Sequence, residues 1–214
     1  MEQSTYKNQN IGGDVMLSLT NTEIQNQAKK VMQNGGQIVE DTLKCVFCAH
    51  PNNQNVEEIL AKIVLLDKLY ATNLRLSRSN LAKFAENIAK IKDIDIRLQK
   101  YDDRLVQEIS KASQNRKNLF SFATKYCCLH NYLVYGKDDY SIVDSKVKKN
   151  FPKYSKQAQK CGKVSVAITR SQMENWQKQR KHKEINNAIE QLLDAYSINM
   201  PYRRRMFDWF LWKQ

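Results

Sequence analysis

Residues 119–147 read LFSFATKYCCLHNYLVYGKDDYSIVDSKV and place one lysine inside an apolar, aromatic run. The segment from Leu119 to Leu129 has the composition of a buried helix. Lys125 lies within that segment, and Asp144 follows 19 residues later, where it could cap the next helix. An amine held near a carboxylate in apolar surroundings can do covalent chemistry. Lys125 and Asp144 are therefore the candidate catalytic residues.

The composition of the whole chain favours helices. Among its 214 residues are only six glycines and three prolines, which argues against an all-β fold with many tight turns. Apolar residues recur at helical spacing along most of the chain, and no segment indicates a strand. We expect an all-α fold, with a flexible N-terminal arm over residues 1–20 and a single helical domain over residues 21–214.

Individual helices are predicted where apolar residues repeat every three or four positions. The predicted helices cover residues 22–34, 38–49, 56–70, 81–91, 94–98, 105–112, 119–129, 185–196 and 202–212. The lysine-dense stretch from Lys146 to Lys163 has few large apolar residues and is predicted to be a surface loop.

The charge of the chain indicates an anionic partner. The formal net charge is +13 and the isoelectric point is near 9.5, which makes nucleic acid the first candidate. A lysine-rich surface that is merely solvated is the alternative. No apolar run approaches the roughly 20 residues that cross a bilayer, so we expect no membrane partner. Residues 1–15 lack the apolar centre of a signal peptide.

The cysteines favour a reducing compartment. Five cysteines, an odd number, suit the cytoplasm better than a disulfide framework. We expect a cytoplasmic protein, associated with the nucleoid in a bacterium or nuclear in a eukaryote. Cys45 and Cys48 have metal-ligand spacing and His50 is nearby, but one such pair is weak evidence for zinc. The prediction is buried structural thiols, no metal and no cofactor.

Two short motifs carry a resemblance to a known family. Residues 119–125, LFSFATK, resemble the L-P-G-V-G-T-K hairpin of 8-oxoguanine DNA glycosylases in the helix-hairpin-helix superfamily. Residues 143–147, VDSKV, are similar to the V-D-x-H-V setting of that family's aspartate, at the same spacing from the lysine. The resemblance implies a helix-hairpin-helix glycosylase-like domain that acts as a monomer on double-stranded DNA with its damaged base flipped out.

The resemblance also implies an activity and a set of site residues. Lys125 would displace a damaged base, with oxidised purines among the candidates, and form a Schiff base with the sugar. Asp144 would stabilise the positive charge on the sugar. Such a protein is a base excision repair glycosylase and AP lyase. The implied DNA-binding residues are Thr72, Asn73, Ser121, Ala123, Thr124, Lys146, Lys148 and Lys149, and the implied base-pocket residues are Cys128, Phe207 and Trp209.

Other interpretations stay open at this stage. Ser121 and Ala123 stand where the family has hairpin glycines, which favours a catalytically inactive DNA- or partner-binding module on the same fold. Lys125 alone fits a surface lysine whose stem packs on aromatic rings, and Asp144 alone fits a helix cap. An unrelated helical interaction protein is the third alternative.

Overall fold

The computed structural model describes residues 19–72, 74, 77–113 and 119–214. These residues form helices and no strand, so the predicted all-α class is confirmed. The helices are α1 (Asn21–Val31), α2 (Gln37–Ala49), α3 (Val56–Leu69), α4 (Arg78–Ala89), α5 (Ile94–Lys100), α6 (Asp103–Lys111), α7 (Phe120–Tyr135), α8 (Ser145–Lys160), α9 (Arg170–Lys178), α10 (His182–Ala195) and α11 (Arg203–Trp212). The helix-hairpin-helix glycosylase fold and the single domain over 21–214 stay predictions.

The first helix begins earlier than its sequence pattern indicates. Most of the predicted arm, residues 1–18, lies outside the described residues. Leu19 is buried, and the Thr20 hydroxyl accepts a hydrogen bond from the Glu23 amide. Glu23 bonds back to the Thr20 amide, which completes a capping box. Leu19 and Thr20, the last two residues of the predicted arm, therefore belong to the packed start of α1.

A kink at Asn34 and Gly35 separates α1 from α2. Gly35 has a φ of +89°, a left-handed conformation that glycine adopts without a steric penalty. At Gly36 a β-carbon would lie 2.5 Å from the Val31 carbonyl oxygen, so the chain approaches itself closely there. The two glycines thus turn the chain from α1 into α2.

Helix α8 corrects the prediction of a loop over Lys146–Lys163. Val147, Phe151, Tyr154 and Ala158 recur at helical spacing and are buried in the core. The intervening lysines lower the mean hydropathy and hide this periodicity. Helix α9 was also missed in the sequence, although Thr169 and Gln172 form a capping box at its start.

Helix α7 lies at the centre of the fold. It packs against α2, α3, α5 and α6, and nearly all of its first twelve residues are buried. Helix α11 packs against α1 and α8. One region of the fold therefore contains the end of α3, the first half of α7, the start of α8 and the length of α11. Within the described residues, no helix has both the length and the apolar character needed to cross a membrane.

Candidate active site

The two predicted catalytic residues lie together in the structure. Lys125 Nζ is 3.4 Å from Asp144 Oδ2. Lys125 is 3% exposed and Asp144 is 5% exposed, so Lys125 is not a surface lysine. The amine also donates a hydrogen bond to the Tyr70 carbonyl oxygen at 3.2 Å. Because Tyr70 ends α3, the amine also neutralises the negative end of that helix.

The position of Asp144 at the start of α8 explains the orientation of its carboxylate. Asp144 Oδ1 accepts hydrogen bonds from the amides of Lys146 and Val147 and so caps α8. That leaves Oδ2 to face Lys125 and to accept a hydrogen bond from Trp212 Nε1 at 3.0 Å. Asp144 is therefore both a helix cap and the partner of the amine.

A threonine joins the two catalytic segments. Thr124 Oγ1 accepts a hydrogen bond from the Val143 amide at 3.0 Å. The same hydroxyl donates to the Ser121 carbonyl. The bond between Thr124 and Val143 holds the residue before Asp144 against the residue before Lys125 and so keeps the two segments of the pair together.

A cavity of about 420 Å³ lies next to the pair. Tyr70, Trp209 and Trp212 give it aromatic walls, and the kink between α1 and α2 closes another side. Neither Lys125 nor Asp144 is among the residues that line this cavity. Tyr70 and Trp212 each bond to one of them and also line the cavity, with ring centroids 6.1 Å apart. The pair therefore contacts two residues of the cavity wall.

A buried arginine organises the floor of the cavity. Arg205 is 1% exposed, and its guanidinium bonds to Asp208 Oδ2 at 2.6 Å and to both Glu40 Oε1 and the Tyr70 hydroxyl. The Tyr70 hydroxyl donates to Glu40 Oε1 at 2.8 Å. Arg205 thus ties α2, the end of α3 and α11 together.

Two carboxylate oxygens at this floor lack partners. Glu40 Oε2 and Asp208 Oδ1 are buried and make no hydrogen bond within the described part of the chain. Both residues line the cavity. Buried polar atoms nearly always have a partner, so these two oxygens are acceptors whose hydrogen-bonding capacity is unused within the described residues.

Asp208 is also suited to proton exchange. Burial raises the pKa of Asp208 to about 7, against the lowering effect of Arg205. A carboxyl group with such a pKa gains and loses a proton near neutral pH, as general acid–base catalysis requires. The charges of Lys125 and Asp144 both act on the pKa of Asp208, which places it in the same electrostatic environment.

The predicted DNA-binding hairpin has a different conformation. Ser121, Phe122 and Ala123 form the first turn of α7, and Lys125 lies in its second turn. Serine and alanine favour a helix where glycine would permit a tight turn. Ala123 and Thr124 are fully buried, so their side chains have no surface for DNA.

The remaining predicted DNA-binding residues are scattered. Thr72 is half-buried and its hydroxyl donates to Asp67, whereas Asn73 lies outside the described residues. Lys146 and Lys149 are exposed on α8 and Lys148 is half-buried.

The three predicted base-pocket residues have separate outcomes. Trp209 lines the cavity. Phe207 is buried and stacks on Phe210, and Cys128 is buried in the core, so neither lines the cavity. Within the described residues no cluster of three or more His, Cys, Asp or Glu residues could hold a metal ion.

The main site residues that were missed in the sequence are Glu40, Tyr70, Arg205, Asp208 and Trp212. One signal for them was available on α11, where Arg205, Asp208 and Trp212 are spaced to share one helix face. Glu40 and Tyr70 carry no local signal, because only the tertiary fold brings them to α11.

The fold and the site define an all-helical protein with a buried lysine–aspartate pair beside an aromatic cavity. Residues 22–139 match the model of the HI_0787_N family, which is described as an N-terminal domain. The match covers more than half of the chain, and the chain belongs to this family. Glu40, Tyr70 and Lys125 fall inside the matched region, whereas Asp144 and α11 lie beyond it.

A protein of Haemophilus influenzae, described as an uncharacterized protein, is 30% identical over 159 residues. The aligned part is 73% of this chain and 66% of that relative, so the chain spans slightly less than two thirds of the relative's length. No solved structure matches this chain.

Proposed function

We propose that this protein is a DNA glycosylase with AP lyase activity, in which Lys125 is the nucleophile and Asp144 its electrostatic partner. The observation that carries the proposal is the buried amine, which is 3.4 Å from a carboxylate and bonds to Tyr70 in the wall of an aromatic cavity. The net charge of +13 supports an anionic polymer as substrate. We place the reaction in the compartment that holds the DNA.

The proposed chemistry uses the amine and the carboxylate in sequence. Lys125 passes a proton to Asp144 and attacks C1′ of the deoxyribose as a neutral amine. The bond between C1′ and the base breaks, its electron pair leaves with the base, and the base takes the proton that Asp144 received, so that Asp144 is ionised again. The attached nitrogen then passes its second proton through Asp144 to the ring oxygen while the bond from C1′ to that oxygen opens, which leaves a protonated Schiff base between Lys125 and the sugar. Asp144 stabilises the positive charge that develops on the sugar.

The cavity supplies a place for the extruded base. Its volume of about 420 Å³ falls within the range of small-molecule pockets. Tyr70, Trp209 and Trp212 offer ring faces and edges for stacking, which any base can use. Glu40 Oε2 and Asp208 Oδ1 would accept hydrogen bonds from N–H groups at the edge of the base, which favours a base rich in such donors.

Substrate entry requires a rearrangement at the cavity wall. The sugar must reach Lys125 past Tyr70 and Trp212, which bond to the pair. Displacing the Trp212 indole from Asp144 would free one carboxylate oxygen and open the shortest path from the cavity to the amine.

Borohydride trapping tests the proposal. Purified protein is mixed with duplexes that carry an oxidised purine, a uracil or an abasic site, and borohydride reduces any Schiff base to a stable adduct. We expect an adduct with the wild-type protein and none with Lys125→Gln. Lys62→Gln is the matched control, because Lys62 is a second fully buried lysine, which donates to the Asn52 carbonyl at 2.9 Å and to the Asn53 side chain at 3.1 Å and not to Tyr70 or Asp144. Absence of a wild-type adduct with every duplex, while a known lysine glycosylase gives one, would refute the proposal.

A non-enzymatic DNA- or partner-binding module is the second candidate. It is favoured by the burial of Lys125 and Asp144, whose polar atoms already have partners within the protein. The helical first turn of α7 in place of a glycine hairpin also favours it. This candidate predicts DNA binding without any adduct, and equal affinity for wild type and Lys125→Gln when both melt at similar temperatures.

A further inference from the structure

Helix α8 carries a regular row of lysines on its solvent side. The row consists of Lys146, Lys149, Lys153, Lys156 and Lys160, all exposed. Their spacing alternates between three and four residues, so at 3.6 residues per turn they fall within an arc of about 80°. The residues Ser145–Lys160 include no aspartate or glutamate. We call these five residues the α8 lysine row.

The charge of four lysines in the row is not neutralised by any carboxylate among the described residues. Among the described residues, no carboxylate forms a salt bridge with Lys146, Lys149, Lys153 or Lys156. Lys153 Nζ donates only to the Asn150 side-chain oxygen, at 3.0 Å. Like charges at these helical spacings repel one another and weaken the helix. An external anion would relieve that repulsion.

We propose that the α8 lysine row binds the sugar-phosphate backbone of DNA on one side of the lysine–aspartate pair. The row starts two residues after Asp144, which caps α8, so it extends away from the candidate active site. From Lys146 to Lys160 it spans about 21 Å at 1.5 Å per residue. One DNA strand presents about six phosphates over that length, close to the number of lysines in the row. This inference rests on the proposed function for the identity of the ligand.

The other face of α8 argues against a membrane as the partner. A helix that lies on a bilayer inserts apolar side chains between the lipids. In α8 those side chains, such as Phe151 and Tyr154, are buried in the protein core. A purely cationic row fits a phosphate backbone better, because backbone binding depends on charge alone.

The test compares two triple variants with the same change of charge. Lys149, Lys153 and Lys156 are replaced by glutamine in one variant, which leaves Lys146 beside the pair intact. Lys90, Lys92 and Lys100, which are exposed near α4 and α5, are replaced by glutamine in the control. Fluorescence anisotropy then measures the affinity of each protein for a short undamaged DNA duplex at increasing salt, and circular dichroism checks the fold.

We expect the α8 variant to bind at least about tenfold more weakly, and its slope of log affinity against log salt to fall by up to about 2.7 for three lost phosphate contacts. The control should change both values much less. Equal losses in the two variants would overturn the proposal, because net charge alone would then explain binding. The proposal would also be overturned, in favour of a membrane, if the wild type bound phosphatidylserine vesicles, the α8 variant did not bind them, and the two proteins had equal affinity for DNA.

Failure of this inference is distinguishable from failure of the proposed function. If the wild type forms a borohydride adduct and the α8 variant binds DNA with unchanged affinity, the proposed role of the α8 lysine row is refuted and the proposed glycosylase activity is supported. If the α8 variant loses the salt-dependent affinity for DNA and the wild type forms no adduct, the role of the α8 lysine row is supported and the proposed glycosylase activity is refuted.

Discussion

Replacing Asp144 by asparagine separates its charge from its role as a helix cap. Asparagine caps helices about as well as aspartate, so the amides at the start of α8 keep their acceptor. Lys125, at 3% exposure, would lose its only carboxylate partner among the described residues. Breaking a buried ion pair from one side costs about 3–5 kcal/mol. We expect Asp144→Asn to lower the free energy of unfolding by about that amount.

A further substitution and a double variant make the reasoning quantitative. Asp144→Ala should cost about 1 kcal/mol more than Asp144→Asn, because it also removes the cap. Lys125→Met should cost a similar amount to Asp144→Asn, since it leaves the carboxylate buried and unpaired. The double variant Lys125→Met/Asp144→Asn should lose clearly less than the sum of its parts, because neither charge is then left alone.

Urea denaturation of the wild type and the four variants measures these differences. Asp102→Asn is the matched control. Asp102 caps α6 and pairs with Arg97 at 2.7 Å, but its side chain is 30% exposed, so its replacement should cost about 1 kcal/mol or less. Additive losses for Lys125 and Asp144, or a cost for Asp144→Asn no larger than that for Asp102→Asn, would refute the idea of a coupled buried pair.

Three further predictions concern the cavity and the kink. The pKa of Asp208 is raised from 3.8 to about 7, so between these pH values the folded state holds a proton that the unfolded state has lost, and the stability of the protein falls as pH rises. Asp208→Asn should flatten this part of a plot of melting temperature against pH. An unchanged slope would contradict the raised pKa. Trp212→Phe keeps an aromatic ring but removes the hydrogen bond to Asp144, so it should lower the free energy of unfolding by about 1 kcal/mol. It should also leave Lys125 more reactive toward an amine-modifying reagent, as mass spectrometry of the labelled peptide would show. Gly36→Ala should cost about 1–3 kcal/mol in thermal or urea unfolding, because its β-carbon would lie 2.5 Å from the Val31 carbonyl oxygen. A variant as stable as the wild type would count against that close approach.

The sequence was sufficient for the fold class, and its two short motifs singled out Lys125 and Asp144, which lie 3.4 Å apart in the structure. Helical periodicity without strand signals predicted the all-α class, and the capping position of Asp144 was legible from its neighbours. The same approach failed at α8, because five exposed lysines outweighed a buried face of only a few apolar residues. It also assigned Ser121 and Ala123 to a hairpin, although residues with a β-carbon prefer the helical turn that the structure contains.

The cavity could not have been predicted from local patterns. Glu40, Tyr70 and Asp208 come from three helical segments that are far apart in the sequence. Each has an ordinary sequence context, and only the packing of α11 against the first helices makes them neighbours. Arg205 is an example of the difficulty, since a run of three arginines resembles a solvated surface, yet Arg205 is 1% exposed.

Tyr70 is held at both of its ends. Its carbonyl oxygen accepts a hydrogen bond from Lys125, while its hydroxyl bonds to Glu40 and Arg205 on the far side of the ring. Tyr70 therefore links the cavity floor to the amine through a single residue. If a ligand that competes for the hydroxyl also displaces the carbonyl, then binding in the cavity and exposure of the amine share one coupling free energy. By the reciprocity of such coupling, chemical modification of Lys125 should in turn change the affinity of the cavity for its ligand.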